Sequence, residues 1–145
     1  MMIRTMTAED IDKAAALEAE NFSEPWSAAA FLEEIKKDTS FYMVAEEGED
    51  IVGVCGIVTS FNEGEVLNVS VRKEYRGRGI AYEMLNRLLE DAYAKGIRHF
   101  TLEVREGNAG ARHLYEKLGF VCEGIRPNFY RSPAENAAIY WLHKE

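Results

Sequence analysis

A short run of glycine and arginine, placed between a strand pattern and a helix pattern, is the segment of this chain best suited to binding a charged ligand. It reads Arg76-Gly77-Arg78-Gly79-Ile80-Ala81. Glycine lets the backbone turn tightly and approach a ligand closely. The first N–H groups of a following helix have no partner inside that helix, so they bind anions readily. The segment therefore predicts a diphosphate site, although a basic glycine turn without a ligand has the same composition.

A second chemical group is the carboxylate of Glu103. In residues 100–104, Phe-Thr-Leu-Glu-Val, the apolar side chains alternate with Thr101 and Glu103, which therefore share the opposite face of a strand. If helices cover both faces of the sheet, this carboxylate is partly desolvated, which favours proton uptake and suits a general base. The same alternation also fits an ordinary glutamate on a solvated sheet face.

Tyr115 and Asn108 belong to the next predicted helix. Tyr115 lies with Leu114 and Leu118 on a stripe of helical spacing, which is typical of a core tyrosine whose hydroxyl still needs a partner. Asn108 directly precedes this helix and is expected to be its N-cap.

The elements that must position these groups follow from hydrophobic periodicity. Strands are predicted at residues 2–6, 40–46, 51–60, 66–71, 100–104, 120–126 and 137–143, and helices at 7–20, 27–35, 81–96 and 109–118. Thr7 and Ser27 are the expected N-caps of the first two helices, with Asp10 reaching back to Thr7. The order predicts an α/β fold of the mixed α+β kind, with a mostly antiparallel sheet and helices on both faces.

Three finer expectations accompany this order. The strand at residues 66–71 is expected to place Leu67, Val69 and Val71 on one face, because they alternate with polar residues. Residues 127–136 are expected to form a long connection between the last two strands. Cys55 and Cys122 have neither metal-ligand nor disulfide spacing, so both are expected to be buried, reduced thiols.

Length and charge exclude several classes of protein. At 145 residues and 47% hydrophobic content, the chain fits one domain spanning residues 1–145. A net charge of −8 argues against general nucleic-acid binding and suits a basic partner. The longest apolar run, residues 51–58, is too short to cross a membrane, and no signal peptide is recognised. We expect a cytoplasmic protein without a metal site, since the three histidines are isolated.

The motifs together resemble the GNAT superfamily of acyl-CoA-dependent N-acetyltransferases. The pattern Arg76-x-x-Gly79-x-Ala81 after a strand, followed by TLEVR, Asn108 and LYEKLGF, is similar to the motifs of that family. The resemblance implies acetyl-CoA as cofactor, with its diphosphate on residues 76–81 and its pantetheine arm on Val69, Ser70 and Val71, where the fourth and fifth strands splay apart. It also implies that Glu103 is the base, that Tyr115 protonates the departing thiolate, and that Asn108 contacts coenzyme A.

Two further segments narrow the resemblance. Pro25-Trp26-Ser27 and Arg126-Pro127-Asn128-Phe129-Tyr130 are similar to the ribosomal-protein-alanine N-acetyltransferase group of this family. The implied partner is the N-terminus of a small-subunit ribosomal protein, with Trp26, Asn128 and Tyr130 as substrate-binding residues. Trp26 fits a core anchor equally well.

The chain departs from the family pattern at two positions. Phe129 stands where a tyrosine is often found, and Ala81 stands where many relatives have glycine. Two other functions remain open at this point: acetylation of a small amine or a lysine side chain, and acyl-CoA binding without catalysis in a regulatory module.

Overall fold

The structure, a computed structural model, describes residues 1–145. Its regular elements are β1 (Met2–Thr5), α1 (Ile11–Asn21), α2 (Ala28–Ile35), β2 (Ser40–Glu47), β3 (Asp50–Ser60), β4 (Glu63–Val71), α3 (Ile80–Ala94), β5 (His99–Arg105), α4 (Ala109–Lys117), β6 (Val121–Arg131) and β7 (Ala134–His143). Short 3₁₀ turns at Ala8–Asp10 and Lys73–Tyr75 precede α1 and the loop before α3. The predicted order of elements is confirmed.

All seven strands form one sheet in the order β1-β2-β3-β4-β5-β7-β6. Every neighbouring pair is antiparallel except β4 and β5, which are parallel and are connected through α3. These two strands pair only from Glu63–His99 to Glu65–Thr101. Beyond Glu65 and Thr101 they separate, and this gap is the opening that positions the site.

Helices pack on both faces of the sheet, as predicted. On one face α1 and α2 bury Leu17 and Phe31 against β2 and β3. On the other face α3 contributes Met84, Leu85 and Leu88 to a larger core that also contains residues of β5 and α4. Fully buried aliphatic and aromatic side chains on both faces hold the sheet in place.

Hydrogen bonds confirm the predicted caps Ser27 and Asn108, whereas Thr7 begins the 3₁₀ turn and the N-cap of α1 itself is Asp10. The Asp10 carboxylate accepts from the Thr7 backbone N–H at 2.8 Å, and Ser27 Oγ accepts from the Ala30 N–H at 3.1 Å. Asn108 Oδ1 accepts from the Ala111 N–H at 3.1 Å at the start of α4. Gly119 follows this helix with φ of 101°, the left-handed conformation that favours glycine.

The central strand differs from its prediction in two ways. It begins at Glu63 rather than at residue 66, and it contains a β-bulge. Pairing with β3 passes from Val54–Ser70 to Gly56–Leu67, so β4 has one residue more than β3 in this interval. The extra residue reverses the alternation, and Val66 packs on the α3 side together with Val69 and Val71. The expectation that Leu67 shares their face was wrong.

The last two strands are longer than predicted. Residues 127–136 were expected to form a loop, but β6 continues to Arg131 and β7 begins at Ala134. Pro127 is tolerated because β6 is the edge of the sheet, where a missing N–H breaks no ladder. The register shifts between Arg126 and Tyr130, with Asn128 at φ of 52°. The irregular sequence of this segment forms a bulge within β6 rather than a loop.

The two thiols lie in different environments. Cys55 is fully buried, and burial raises its pKa, as expected for an inert core thiol. Cys122 was also expected to be buried, but it is partly exposed because the edge strand β6 is covered by few neighbours. None of the helices has both the length and the apolar character needed to span a membrane.

Candidate active site

A cleft of about 1330 Å³ opens where β4 and β5 separate. Its walls come from β4, β5, the loop before α3, the start of α4, the end of α1 and the turn between β6 and β7. The predicted cofactor and catalytic residues that line it are Val69, Ser70, Val71, Arg76, Gly77, Gly79, Ile80, Ala81, Glu103, Asn108 and Tyr115. The sequence-based grouping of these residues into one site is therefore matched by their positions.

The β4 wall is braced from behind by α1. The Asn21 side chain donates both to Ser70 Oγ and to the Val71 carbonyl oxygen, the latter at 3.1 Å. Ser70 is buried, whereas Val69 and Val71 are partly exposed to the cleft. The strand beyond Glu65 has no strand partner on the β5 side, so its main-chain groups on that side, apart from the Val71 carbonyl, are available to pair with an amide-bearing ligand.

The glycine loop has the geometry of an anion site. Gly77 and Gly79 have φ of 79° and 80°, and a side chain at either position would meet no atom within 4 Å. The space beside the loop is open, and α3 begins directly after Gly79. An anion at this helix start would meet backbone N–H groups that lack helical partners. The donor set and the open space fit a diphosphate, and the separated strands fit an extended pantetheine arm.

The two arginines of this loop are engaged differently. Arg76 donates from Nε to the Val71 carbonyl oxygen at 3.1 Å and from Nη2 to Asn21 Oδ1 at 2.6 Å, so it ties the loop to β4. Arg78 lies over the Tyr75 ring, 4.8 Å from the ring centre, and stands outside the cleft lining. An anion beside this loop would therefore meet mainly backbone groups rather than two free guanidinium groups.

Glu103 points into the cleft from β5. Its side chain is 22% exposed, and its Oε1 lies 3.4 Å from Nη1 of Arg126. Glu65 is the last residue of β4 that pairs with β5, and its register opposite Thr101 puts it on the same face as Glu103. Burial, and then the charge of Glu103, raise the pKa of Glu65. The cleft thus contains two carboxylates close enough to influence each other.

Tyr115 closes the inner end of the cleft. It is buried, with its ring 6.2 Å from the rings of both Phe120 and Tyr140. Burial raises the pKa of Tyr115, so its hydroxyl stays protonated at neutral pH and can serve as a proton donor. The predicted core location is confirmed, and the ring also lines the cleft.

The outer end of the cleft lies between the end of α1 and the turn from β6 to β7. Ser23 Oγ donates to the carbonyl oxygen of Ser132 at 2.7 Å, which bridges the two segments across 109 residues of sequence. Tyr130 lines this end, with the Arg105 guanidinium 4.3 Å from its ring centre. The mouth of the cleft therefore presents both aromatic and polar groups.

Two of the predicted substrate residues lie away from the cleft. Trp26 packs in the α1–α2 core, its ring 5.3 Å from Phe31 and 6.1 Å from Tyr42, and it does not line the cleft. Asn128 is exposed on the β6 bulge, where its backbone N–H donates to Asn136 Oδ1 at 3.0 Å. Among the three, only Tyr130 is brought to the cleft.

Several cleft residues were missed from the sequence. Asn21, Phe22 and Glu24 line the mouth, and Glu65 lies beside Glu103. Glu65 was missed because the strand was predicted to begin at residue 66, whereas β4 begins at Glu63. Asn21 is the last residue of α1, which was predicted to end at residue 20. The spacing of Asn21 and the residues after it does not indicate a ligand. No group of three or more His, Cys, Asp or Glu residues is arranged to hold a metal ion.

Comparison with known proteins agrees with this geometry. Residues 11–120 match the family model described as acetyltransferase (GNAT) family. The chain is 36% identical over 141 residues to N-alpha-acetyltransferase RimI of Mycobacterium tuberculosis, covering 93% of this chain and 87% of the relative. It is 30% identical over 141 residues to the [ribosomal protein bS18]-alanine N-acetyltransferase of Haemophilus influenzae, covering 95% of both.

A solved structure shows the same fold along nearly the whole chain. The ribosomal-protein-S18-alanine N-acetyltransferase from Escherichia coli superposes with a TM-score of 0.89 at 26% identity, covering 98% of this chain and 92% of that one. The open β4–β5 junction, the glycine loop and the match over residues 11–120 agree with one another. The chain belongs to the GNAT family of acetyltransferases, whose members use acetyl-CoA.

Proposed function

We propose that this enzyme acetylates the α-amino group of a protein N-terminus, with the N-terminal alanine of a small-subunit ribosomal protein as its substrate. The observation that carries the proposal is that Glu103 and Tyr115 line one cleft, at the point where β4 and β5 separate. A proton acceptor and a proton donor are thereby present in the same cleft. A module that only binds acyl-CoA needs neither group.

The cofactor contacts follow from the walls of the cleft. The loop of residues 76–81 would hold the diphosphate, the main chain of Val69, Ser70 and Val71 would pair with the pantetheine amides, and Asn108 would contact coenzyme A. When bound, acetyl-CoA supplies an acetyl thioester.

In the proposed reaction the substrate amine attacks the thioester carbonyl carbon directly. A C–N bond forms and the C–S bond breaks, while Glu103 accepts the proton that the amine nitrogen loses. Tyr115 donates its hydroxyl proton to the departing sulfur. No covalent bond to the protein is needed, so the chain requires no nucleophilic cysteine, in agreement with the burial of Cys55.

The lower pKa of an α-amine favours a chain terminus over a lysine side chain as the acetyl acceptor. With an α-amine pKa near ~7.8, about a tenth or more of a peptide terminus is neutral at pH 7, whereas a lysine near ~10.4 is neutral at about one part in two thousand. A carboxylate of modest basicity is therefore sufficient as the base when the acceptor is a peptide N-terminus. The net charge of −8 also suits a basic ribosomal protein. The relatives from Haemophilus influenzae and Escherichia coli are named as alanine N-acetyltransferases of ribosomal protein S18, which supports the same acceptor for this chain.

Intact-mass analysis of two peptides tests the proposal. One peptide begins with a free Ala-Arg terminus and carries an internal lysine, and the other is identical but N-terminally blocked. Each is incubated with the protein and acetyl-CoA. One acetyl group on the free peptide alone is the expected result. Acetylation of both peptides would move the site to lysine, and acetylation of neither would contradict N-terminal transfer and direct the search to small amines.

A further inference from the structure

A buried polar cluster lies behind the cofactor strand, on the side of β4 that faces α1. Glu18 of α1 is 3% exposed, and its Oε1 accepts a hydrogen bond from Asn68 Nδ2 at 3.1 Å. Asn68 Oδ1 in turn accepts from the hydroxyl of Tyr42, on β2, at 2.9 Å. We call Glu18, Asn68 and Tyr42 the β4 clamp. One amide side chain thus joins three elements that are distant in sequence.

Burial of the Glu18 carboxylate is energetically unfavourable. Its Oε2 is the one buried side-chain nitrogen or oxygen atom that has no hydrogen-bond partner. A buried polar atom without a partner is destabilising, and burial raises the pKa of Glu18. An apolar side chain would fill the same position of α1 without this penalty. The stabilising contribution of Glu18 therefore comes from the two donors to its other oxygen, the Asn68 amide at 3.1 Å and the more distant Trp26 backbone N–H at 3.5 Å.

Asn68 occupies the position that determines the course of β4. Its φ is 59°, in the left-handed region that asparagine tolerates better than most residues. The change of register with β3 falls at this residue. Because side chains alternate along a strand, loss of the bulge would exchange the faces of residues 69–71. Val69 and Val71 would then leave the α3 core, and Ser70 would lose its contact with Asn21.

We propose that Glu18 and Tyr42 are positioning residues for acetyl-CoA, acting through Asn68 to hold the β4 bulge and thereby the cofactor-pairing main chain of residues 69–71. Asn68 lines the cleft, whereas Glu18 and Tyr42 do not, so neither of these two touches the reacting atoms. Both act by fixing the conformation of one strand. This inference rests on the proposed cofactor contacts and not on the identity of the acceptor.

The test measures the dissociation constant of acetyl-CoA by isothermal titration calorimetry. Three variants change the clamp: Glu18→Met, which has no acceptor for the Asn68 amide, Tyr42→Phe and Asn68→Gly. Glycine at position 68 still permits the left-handed backbone but removes the amide. We expect each variant to weaken acetyl-CoA binding roughly threefold to tenfold, the range of one hydrogen bond. The double variant Tyr42→Phe/Asn68→Gly should bind no more weakly than Asn68→Gly alone, because both changes remove the same link.

Ile11→Val is the matched control. Ile11 is a buried core residue of α1 that does not belong to the clamp, and its truncation lowers stability by an amount similar to loss of a hydrogen bond. It should reduce the melting temperature and leave the dissociation constant unchanged. If Ile11→Val weakened binding as much as the clamp variants, general destabilisation would explain the effect and the proposal would be wrong.

Wild-type affinity in folded Asn68→Gly and Tyr42→Phe would also overturn the proposal. Should Glu18→Met fail to fold, Tyr42→Phe decides the question, since it removes a single hydroxyl. Because the readout is cofactor binding, a chain that binds acetyl-CoA but acetylates another amine would contradict the proposed function and leave this test unaffected.

Discussion

Nη1 of Arg126 lies 3.4 Å from Oε1 of Glu103, at the edge of the cleft. The arginine side chain is 57% exposed and the glutamate 22%, so the cation stands at the rim while the carboxylate faces inward. A guanidinium stays positive at any physiological pH, so Glu103 keeps a counter-charge whenever it is ionised. Glu65 shares this environment, and one arginine therefore faces two carboxylates.

Replacement of the proposed base should produce a loss that depends on pH. We expect Glu103→Gln to lower kcat/KM for an alanine-ended peptide by about 100-fold or more at pH 7, and by much less at pH 9, where most α-amines are already neutral. Steady-state kinetics at both pH values measures this, with the exposed Glu90→Gln on α3 as control. An equal loss at the two pH values would remove the assignment of Glu103 as base.

Removal of the Tyr115 hydroxyl tests the proposed proton donor. Tyr115→Phe keeps the ring in its contacts with Phe120 and Tyr140, so the fold should be retained. We expect kcat to fall by roughly tenfold to 100-fold with little change in KM, since a thiolate with a thiol pKa near ~8.5 is already a fair leaving group. Unchanged turnover in the folded variant would leave Tyr115 with a core role alone.

The glycine loop can be tested with a pair of equally strained substitutions. Gly79 and Gly48 both have positive φ, and an added methyl group would meet no atom within 4 Å at either position. Alanine should therefore lower stability by about 1 kcal/mol at each site. Only Gly79→Ala should weaken acetyl-CoA binding, because it disturbs the start of α3. Equal cofactor affinity in the two variants, measured by calorimetry, would contradict the diphosphate site.

Glu65, the second carboxylate of the cleft, should strengthen the binding of a positively charged acceptor peptide. Glu65→Gln removes a negative charge on the face that carries Glu103, and a less negative cleft attracts a basic peptide less strongly. We expect KM for the peptide to rise about threefold to tenfold at low salt, with kcat within about twofold of the wild type. The difference should shrink at ~1 M salt, where charges are screened over ~3 Å. Glu63→Gln, on the same strand but outside the cleft lining, is the control.

An ion pair at the start of α1 predicts how stability depends on pH. Asp10 accepts hydrogen bonds from Arg4 at 2.8 and 2.9 Å, and this arginine lowers the pKa of Asp10. Since the folded pKa is below the unfolded value of about 3.9, the stabilisation is present above that value and is lost as the pH falls through the folded pKa.

Asp10→Asn should therefore lower the free energy of unfolding by about 1–3 kcal/mol at pH 7 and by much less below pH 3. Urea denaturation at the two pH values measures the difference. Asp12→Asn, at an exposed position of the same helix, should have little effect at either pH. A deficit for Asp10→Asn that persisted unchanged at low pH would show that the ion pair is not its cause.

The sequence predicted the elements well where periodicity and end signals agree. α3 and α4 combine regular apolar stripes with a glycine start or an asparagine cap, and their ends lie within two residues of the prediction. Glu103 was placed on the cleft face because alternation along β5 has no interruption. Local rules were sufficient for these features because each depends on neighbours along the chain.

The features that were missed depend on contacts between distant elements. The bulge at Asn68 is held by side chains from α1 and β2, and no local pattern reports them. Residues 127–136 were predicted to be a connection, and the sequence does not show that Pro127 lies on an edge strand, where proline is tolerated. Trp26 was assigned to the substrate by resemblance, yet its position is set by Phe31 and Tyr42.

The two outer strands of the sheet have a consequence for behaviour at high concentration. β1 has only four residues, and β6 contains both Pro127 and a shift of register that ends at Tyr130. Short strands and interrupted ladders are poor templates for a strand from another molecule. Growth of the sheet from one folded chain to the next is therefore disfavoured at both edges.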